Sequence, residues 1–151
     1  MLEPNFVAAT MLRNANKFAE AYYRALQPLC LETGLPPLAV DILLFLANNP
    51  AYNTAKDICQ CRGVKPGIVS VHVDRLVNLG LLARQDVPGD RRKTRLVCTD
   101  QAAPLIARGR ALQQAFATRL TDGLSSEELT QFHKCIAAFS ANLDAIRASG
   151  I

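Results

Sequence analysis

The sequence has no tryptophan, two methionines and only two histidines, His72 and His133. Neither histidine stands near a cysteine or glutamate at metal-ligand spacing, so no metal centre is expected. The chain has no glycine-rich phosphate loop, no GxSxG elbow and no paired-carboxylate motif, and neither histidine belongs to a recognisable triad. Catalysis is therefore not expected, and no cofactor is called for. Long apolar runs are missing too. The longest, LAVDILLFLA, is about half a membrane span and is interrupted by Asp41, which argues against a bilayer-crossing helix. The opening MLEPNFVAAT has no basic region ahead of an apolar run, so no signal peptide is expected. Five cysteines without a secretion signal read as reduced thiols, and the expected location is the cytoplasm.

What is present is globular. Half of the 151 residues are hydrophobic and 20% are charged. A chain of this length buries roughly 68–70% of its unfolded surface, enough to fold without disulfides or metal. The net charge of +4 is unevenly placed. Between Thr54 and Cys98 nine cations stand against four anions, a net of +5, and the rest of the chain has eight cations against nine anions, a net of −1. A localised basic region of this kind is the electrostatic footprint of a nucleic-acid surface.

The ends of the chain read as long amphipathic helices. Ser125 and Glu128 have capping-box spacing, and Leu129, Phe132, Ile136, Phe139, Leu143 and Ile146 follow at intervals of three and four, up to a stop near Gly150. Met11, Ala15, Phe18, Tyr22, Leu26 and Leu29 lie along one face of an N-terminal helix. Two such stripes on a small chain predict a dimer interface, with Phe132, Ile136, Phe139 and Leu143 at its centre. Between the ends, Pro36-Pro37 opens a helix over about 37–48, with Leu38, Ile42 and Phe45 inward. Thr54 caps a short helix that Gly63 stops. Lys65-Pro66 opens the next helix, which runs to Asn78-Leu79-Gly80. Helix, short turn, helix is the helix-turn-helix pattern.

The runs LLARQD and TRLVCT then flank the turn VPGD. In that hairpin Leu82, Leu96 and Cys98 are expected to face inward and Arg84, Arg95 and Val97 outward, with Arg91, Arg92 and Lys93 at its tip. Thr99 is expected to cap a helix over about 100–121, which Pro104 bends or delays. The predicted fold is mainly α with a small β-wing, a winged helix-turn-helix between long N- and C-terminal dimerisation helices. Its divisions are dimerisation helices at 1–34 and 100–151 and a DNA-binding lobe at 37–99.

The stretch TAKDICQCRGVKPGIVSVHVDRLVNLGLLARQDVPGDRRKTRLVCTDQA resembles the MarR family of bacterial transcription regulators. The motifs that carry the resemblance are VDRLVNLGLLAR, at the end of the recognition helix, and DVPGDRRKTRLVCT, in the wing. The long flanking helices match the family's dimerisation helices as well. The resemblance implies a homodimer that binds a pseudo-palindromic stretch of double-stranded DNA, usually as a repressor, and is released by a small-molecule effector or by thiol oxidation. A winged helix used for protein–protein interaction is the competing reading, though it has no need of a cationic wing.

Physical chemistry suggests how the matching residues would serve that role. Val69, Val73 and Leu76 form the inward stripe of the second helix, leaving Gly67, Ser70, Val71, Asp74, Arg75 and Asn78 on other faces. Ser70 suits a base edge or a phosphate, and Val71 a thymine methyl. Lys65 stands at the helix N-terminus, where backbone donors favour phosphate. Arg91 and Arg92 are the candidates for minor-groove entry, with Lys93 and Arg95 near phosphates, and Gly67 and Arg75 complete the expected DNA-contacting set. Asp90 and Asp74 are expected to orient the wing. From the family's pocket position and aromatic character, Tyr22, Tyr23 and Phe45 are candidates to line an effector pocket. Cys30 is the candidate thiol sensor. Cys59 and Cys61 point about 200° apart on a helix and cannot share a disulfide.

Overall fold

The computed structural model describes all 151 residues. A π-helical turn, Phe6–Thr10, leads into α1 (Met11–Ala25), followed by α2 (Gln27–Thr33) and α3 (Pro37–Asn48). The helix-turn-helix is α4 (Ala55–Arg62) and α5 (Pro66–Asn78). A hairpin of β1 (Leu82–Val87) and β2 (Asp90–Cys98) comes next. A 3₁₀ turn, Asp100–Ala102, then enters α6 (Ala103–Leu120), and α7 (Ser126–Ser149) closes the chain. The strands form a two-stranded antiparallel sheet.

Most boundaries follow from local chemistry. Thr54 accepts from the Asp57 backbone N–H while the Asp57 carboxylate accepts from the Thr54 N–H, a complete capping box at the start of α4. Gly63 ends that helix at φ 63°, a left-handed conformation in which a side chain is costly. The N-terminal segment departs from the single helix expected from its stripe. Pro28 has no N–H to donate and is tolerated only in a first turn, so α1 ends at Leu26 and α2 restarts there. Pro104 acts similarly: it sits at the second position of α6, behind the 3₁₀ turn, so the helix starts late. Thr99 does not cap that turn with its side chain. Its hydroxyl donates instead to the Gly80 carbonyl at 2.5 Å, pinning the end of the hairpin to the end of α5.

The core is built around α3. Each residue from Ala39 to Leu46 is buried, so α3 is enclosed on all sides and does not show the single inward face of Leu38, Ile42 and Phe45. Leu38 itself is half-buried. Around α3 pack Leu26 and Leu29, Ile58 of α4, Val69, Val73 and Leu76 of α5, Leu82 and Leu96 of the hairpin, and Leu105 and Ile106 of α6. At Gly109 a Cβ would overlap Leu44, so glycine is what lets α6 approach α3 there.

One charged group lies inside this core. Asp41, 1% exposed, receives Arg62 Nε at 2.7 Å and Nη2 at 3.3 Å, and the Tyr22 hydroxyl at 3.1 Å. The Arg62 guanidinium lies 4.9 Å from the centre of the Phe45 ring. Gln113 Nε2 donates to the Tyr22 hydroxyl at 2.8 Å, and Asn48 Nδ2 donates to Gln113 Oε1 at 2.9 Å. Residues from α1, α3, α4 and α6 therefore meet in one hydrogen-bonded network. Phe116 meets Phe18 and Tyr22 edge-on beside it, with centroids 5.4 and 5.5 Å apart.

By compactness the chain divides into Met1–Phe116 and Ala117–Ile151. The second unit is dominated by α7, which opens on a complete capping box of Ser125 and Glu128 and ends at Gly150. No α7 residue is buried, and Phe132, Ile136, Phe139, Leu143 and Ile146 are each 43–57% exposed.

The Asp41 network generates two stability predictions. Arg62→Ala leaves a buried carboxylate with one tyrosine hydrogen bond and should cost about 3–5 kcal/mol, whereas Asp41→Leu should cost less, because Arg62 is 34% exposed and can turn to water. Urea unfolding midpoints of the two variants check the order. Burial, reinforced by the neighbouring Asp41 carboxylate, pushes the Tyr22 phenol up to about 12. The folded chain thus holds this proton more tightly than the unfolded one, so the stabilisation is complete below the ordinary value of 10.0 and is lost as pH rises through about 12. Denaturant midpoints followed from about pH 9 to about pH 12 should fall, and fall less steeply in Tyr22→Phe.

Candidate nucleic-acid interface

The apolar stripe Val69, Val73 and Leu76 anchors α5 on the core and so determines which of its side chains face water. Gly67, Ile68, Ser70, Val71, Asp74, Arg75 and Asn78 are exposed, with Lys65 exposed at the N-cap in extended backbone. Because the first residue of α5 is Pro66, the first turn of the helix starts without an N–H at that position, while the donors beyond it have no side-chain cap.

Two of the cations are held within the lobe. Arg75 Nη2 donates to the Gly34 carbonyl at 2.8 Å, tying α5 to the turn between α2 and α3. Arg84 of β1 pairs with Asp74 of α5, joining wing and helix. The strand register explains this second contact. Leu82 pairs with Cys98, Arg84 with Leu96 and Asp86 with Thr94, so Arg84 shares a sheet face with Leu82 and Leu96. The expected outward orientation of Arg84 is corrected accordingly, since side chains two apart on a strand share a face. Arg95 and Val97 lie on the opposite face, and Leu96 N donates to the Asn53 carbonyl at 2.7 Å, anchoring the wing to the loop before α4.

Arg91, Arg92 and Lys93 do not form the tip of the hairpin. The turn proper is Pro88-Gly89, with Gly89 at φ 83°. The pairs Asp86–Thr94 and Val87–Asp90 leave these three residues of β2 with no partner on β1, so all three cations sit in a bulge. Arg91, Arg92, Lys93 and Arg95 are exposed and make no salt bridge. Asp90 shapes the bulge through the backbone: its Oδ1 accepts the Arg92 N–H at 2.9 Å, and no arginine side chain reaches it.

His72 is half-buried on α5, and its Nδ1 has no hydrogen-bond partner. Burial pushes its imidazole below the ordinary histidine value, with Arg75 adding to the effect. Of the aromatic candidates, Tyr23 lines an open cleft of about 610 Å³ with Lys17, Glu20, Arg24 and Pro37. Tyr22 and Phe45 do not line it; the first is bonded to Asp41 and the second lies beneath Arg62. Cys30 is buried in α2, and burial pushes its thiol up. Cys98 is half-buried, with its Sγ 3.8 Å from the Leu43 carbonyl. No three His, Cys, Asp or Glu side chains come together in a group that could hold a metal ion, and no single helix is long and apolar enough to cross a membrane.

Sequence reasoning missed the Asp41–Arg62 pair, although an acidic residue within LAVDILLFLA was a signal that a cation must meet it. It also passed over Ile68, whose exposure depends on how α5 is rotated on the core.

Comparison with known proteins agrees with this architecture. A family model described as MarR family matches residues 33–93. Among solved structures, the chain is similar to a transcriptional regulator at 24% identity, with a TM-score of 0.77 over 91% of this chain and 98% of that one. It is similar to a MarR protein from Peptoclostridium difficile at 16% identity, with a TM-score of 0.76 over 96% and 91%. A Listeria monocytogenes protein assigned to the MarR-family transcriptional regulators, solved in complex with a 26mer DNA, matches at 14% identity, with a TM-score of 0.77 over 87% of each chain. At these identities the structural likeness establishes the fold. Residues 33–93 are therefore similar to the MarR family, and the chain carries them within the winged helix-turn-helix fold that it shares with these solved structures.

Proposed function

We propose that the protein is a sequence-specific DNA-binding transcription regulator that acts as a homodimer on a pseudo-palindromic operator, as a repressor released by a small-molecule effector. The observation that carries the reading is the bulge of three exposed cations, Arg91, Arg92 and Lys93, in the hairpin that follows a helix-turn-helix. A bulge re-aims side chains away from the sheet, and arginines projecting from a wing suit the narrow, negative minor groove. In this reading α5 enters the major groove with Ser70 and Val71 at base edges and Gly67 at its approach, while Lys65 and Arg95 lie near phosphates. Arg75, Asp74 and Asp90 position the reading elements, Arg75 through the Gly34 carbonyl, Asp74 through Arg84 and Asp90 through the bulge backbone.

Residues 37–99 are then the DNA-binding lobe, and 1–34 and 100–151 are the dimerisation helices. The exposed stripe of α7 supports the dimer, because five large apolar side chains in one row are more than a solvated helix ordinarily shows. The cleft beside Tyr23 is the proposed effector site, next to the Tyr22–Asp41–Arg62 network that reaches α4. A thiol switch at Cys30 has less support, since burial disfavours the thiolate that oxidants attack.

Selection of bound fragments from genomic DNA, followed by binding isotherms, tests the function. Arg91→Ala and Arg92→Ala should weaken binding to specific and scrambled duplexes by a similar factor. Losing one phosphate contact per subunit should lower the dimer's slope of log affinity against log salt by about two. A double variant that keeps both its affinity and its slope removes the wing from the interface. For the dimer, Phe139→Glu combined with Leu143→Glu should give monomers or insoluble chains by light scattering, against a dimer for the unaltered protein at micromolar concentration.

A further inference from the structure

The exposed face of α5 is apolar where a groove-reading helix could instead present cations. Ile68 is 46% exposed and Val71 is 65% exposed. Three residues apart, they lie one above the other on the same side of the helix. Gly67 precedes them with open space around the position a Cβ would take, and Ser70, also exposed, lies further round the helix. No lysine or arginine occurs between Lys65 and Arg75. The two arginines nearest this face are engaged, Arg75 at the Gly34 carbonyl and Arg84 at Asp74. The bidentate arginine contact that reads guanine is therefore not available from the middle of α5 without breaking one of these ties.

Two branched apolar side chains left in water are unfavourable until something covers them. What covers them must also suit the exposed cations of the same lobe, Lys65 at the start of α5 and Arg91, Arg92, Lys93 and Arg95 on the wing. A polyanion with apolar groups at its reading edge meets both conditions. In the DNA major groove the apolar group that base edges offer is the thymine C5-methyl. We propose that Ile68 and Val71 form a methyl-reading ridge, so that each half of the operator is selected for thymines at the positions facing this pair. The inference rests on the DNA-binding reading above and deepens it, by naming the base feature that the helix selects.

The test needs no variant at the outset. A duplex selected by the protein from random sequence is remade with deoxyuridine in place of the thymines of each half-site, which removes the methyl groups and leaves base pairing intact. The dissociation constant should rise about fourfold for each methyl in contact. Affinity for a scrambled duplex should be unchanged by the same replacement. Ile68→Ala combined with Val71→Ala, both on the surface, should then bind the thymine and uracil duplexes alike. If the unaltered protein binds the two duplexes equally well, or if the double variant keeps the discrimination, the ridge does not read methyls, even though DNA binding stands. If no duplex is selected from random sequence, the DNA-binding function itself fails, and a protein partner for this face takes its place.

Discussion

The carboxylate of Asp41 is the constraint on which the arrangement of the lobe depends. It is buried in α3, where every residue from Ala39 to Leu46 is buried, and an unpaired charge there would cost several kcal/mol. Arg62 must therefore reach it from the last residue of α4, and the Tyr22 hydroxyl from α1. The contacts that satisfy one buried charge thus specify where the first helix of the helix-turn-helix sits and how the end of α1 packs against the core. Gln113 and Asn48 extend the same network to α6. Any change that moves Tyr22 must either move Arg62 with it or leave Asp41 short of a partner. This is a physical route from the N-terminal helices to the helix-turn-helix.

The same economy of charge sorts the basic residues of the middle third into two groups. Arg62, Arg75 and Arg84 are engaged in holding the lobe together, through Asp41, the Gly34 carbonyl and Asp74. Lys56, Lys65, Arg91, Arg92, Lys93 and Arg95 are exposed and outside the salt bridges. The excess of positive charge read from composition is therefore presented by a subset of the cations, at the starts of α4 and α5 and along one strand. Backbone contacts reinforce this presentation. The Leu96 N–H on the Asn53 carbonyl and the Thr99 hydroxyl on the Gly80 carbonyl hold the hairpin against both helices of the helix-turn-helix. The exposed cations are thus carried by a wing that is held at its base.

Beyond the lobe, α7 has helix-forming chemistry at both ends and an apolar stripe that nothing in its own unit buries. Its local signals, the capping box and the glycine stop, suffice to make the helix. They do not supply a surface to pack on. In the proposed dimer that surface comes from a second copy, which would cover the exposed row of Phe132, Ile136, Phe139 and Leu143.

The sequence by itself determined the elements whose causes are local. Thr54 with Asp57, Gly63, Pro66, and Ser125 with Glu128 each set a helix boundary through neighbouring backbone groups, and all were legible as spacing. The concentration of charge and the order helix-turn-helix then hairpin were legible for the same reason. Tertiary structure decided what depends on residues distant in the chain. Asp41 reads as an interruption of an apolar run until Arg62, twenty-one positions away, is brought beside it. Arg75 and Arg84 read simply as exposed cations until the fold gives them partners at Gly34 and Asp74. The strand register shifts by three residues at the bulge, which places Arg91, Arg92 and Lys93 off the ladder; strand propensity carries no information about such a shift. Whether Ile68 faces core or water was open for the same reason, because a helix reveals its periodicity in sequence but its rotation only against the elements it packs on.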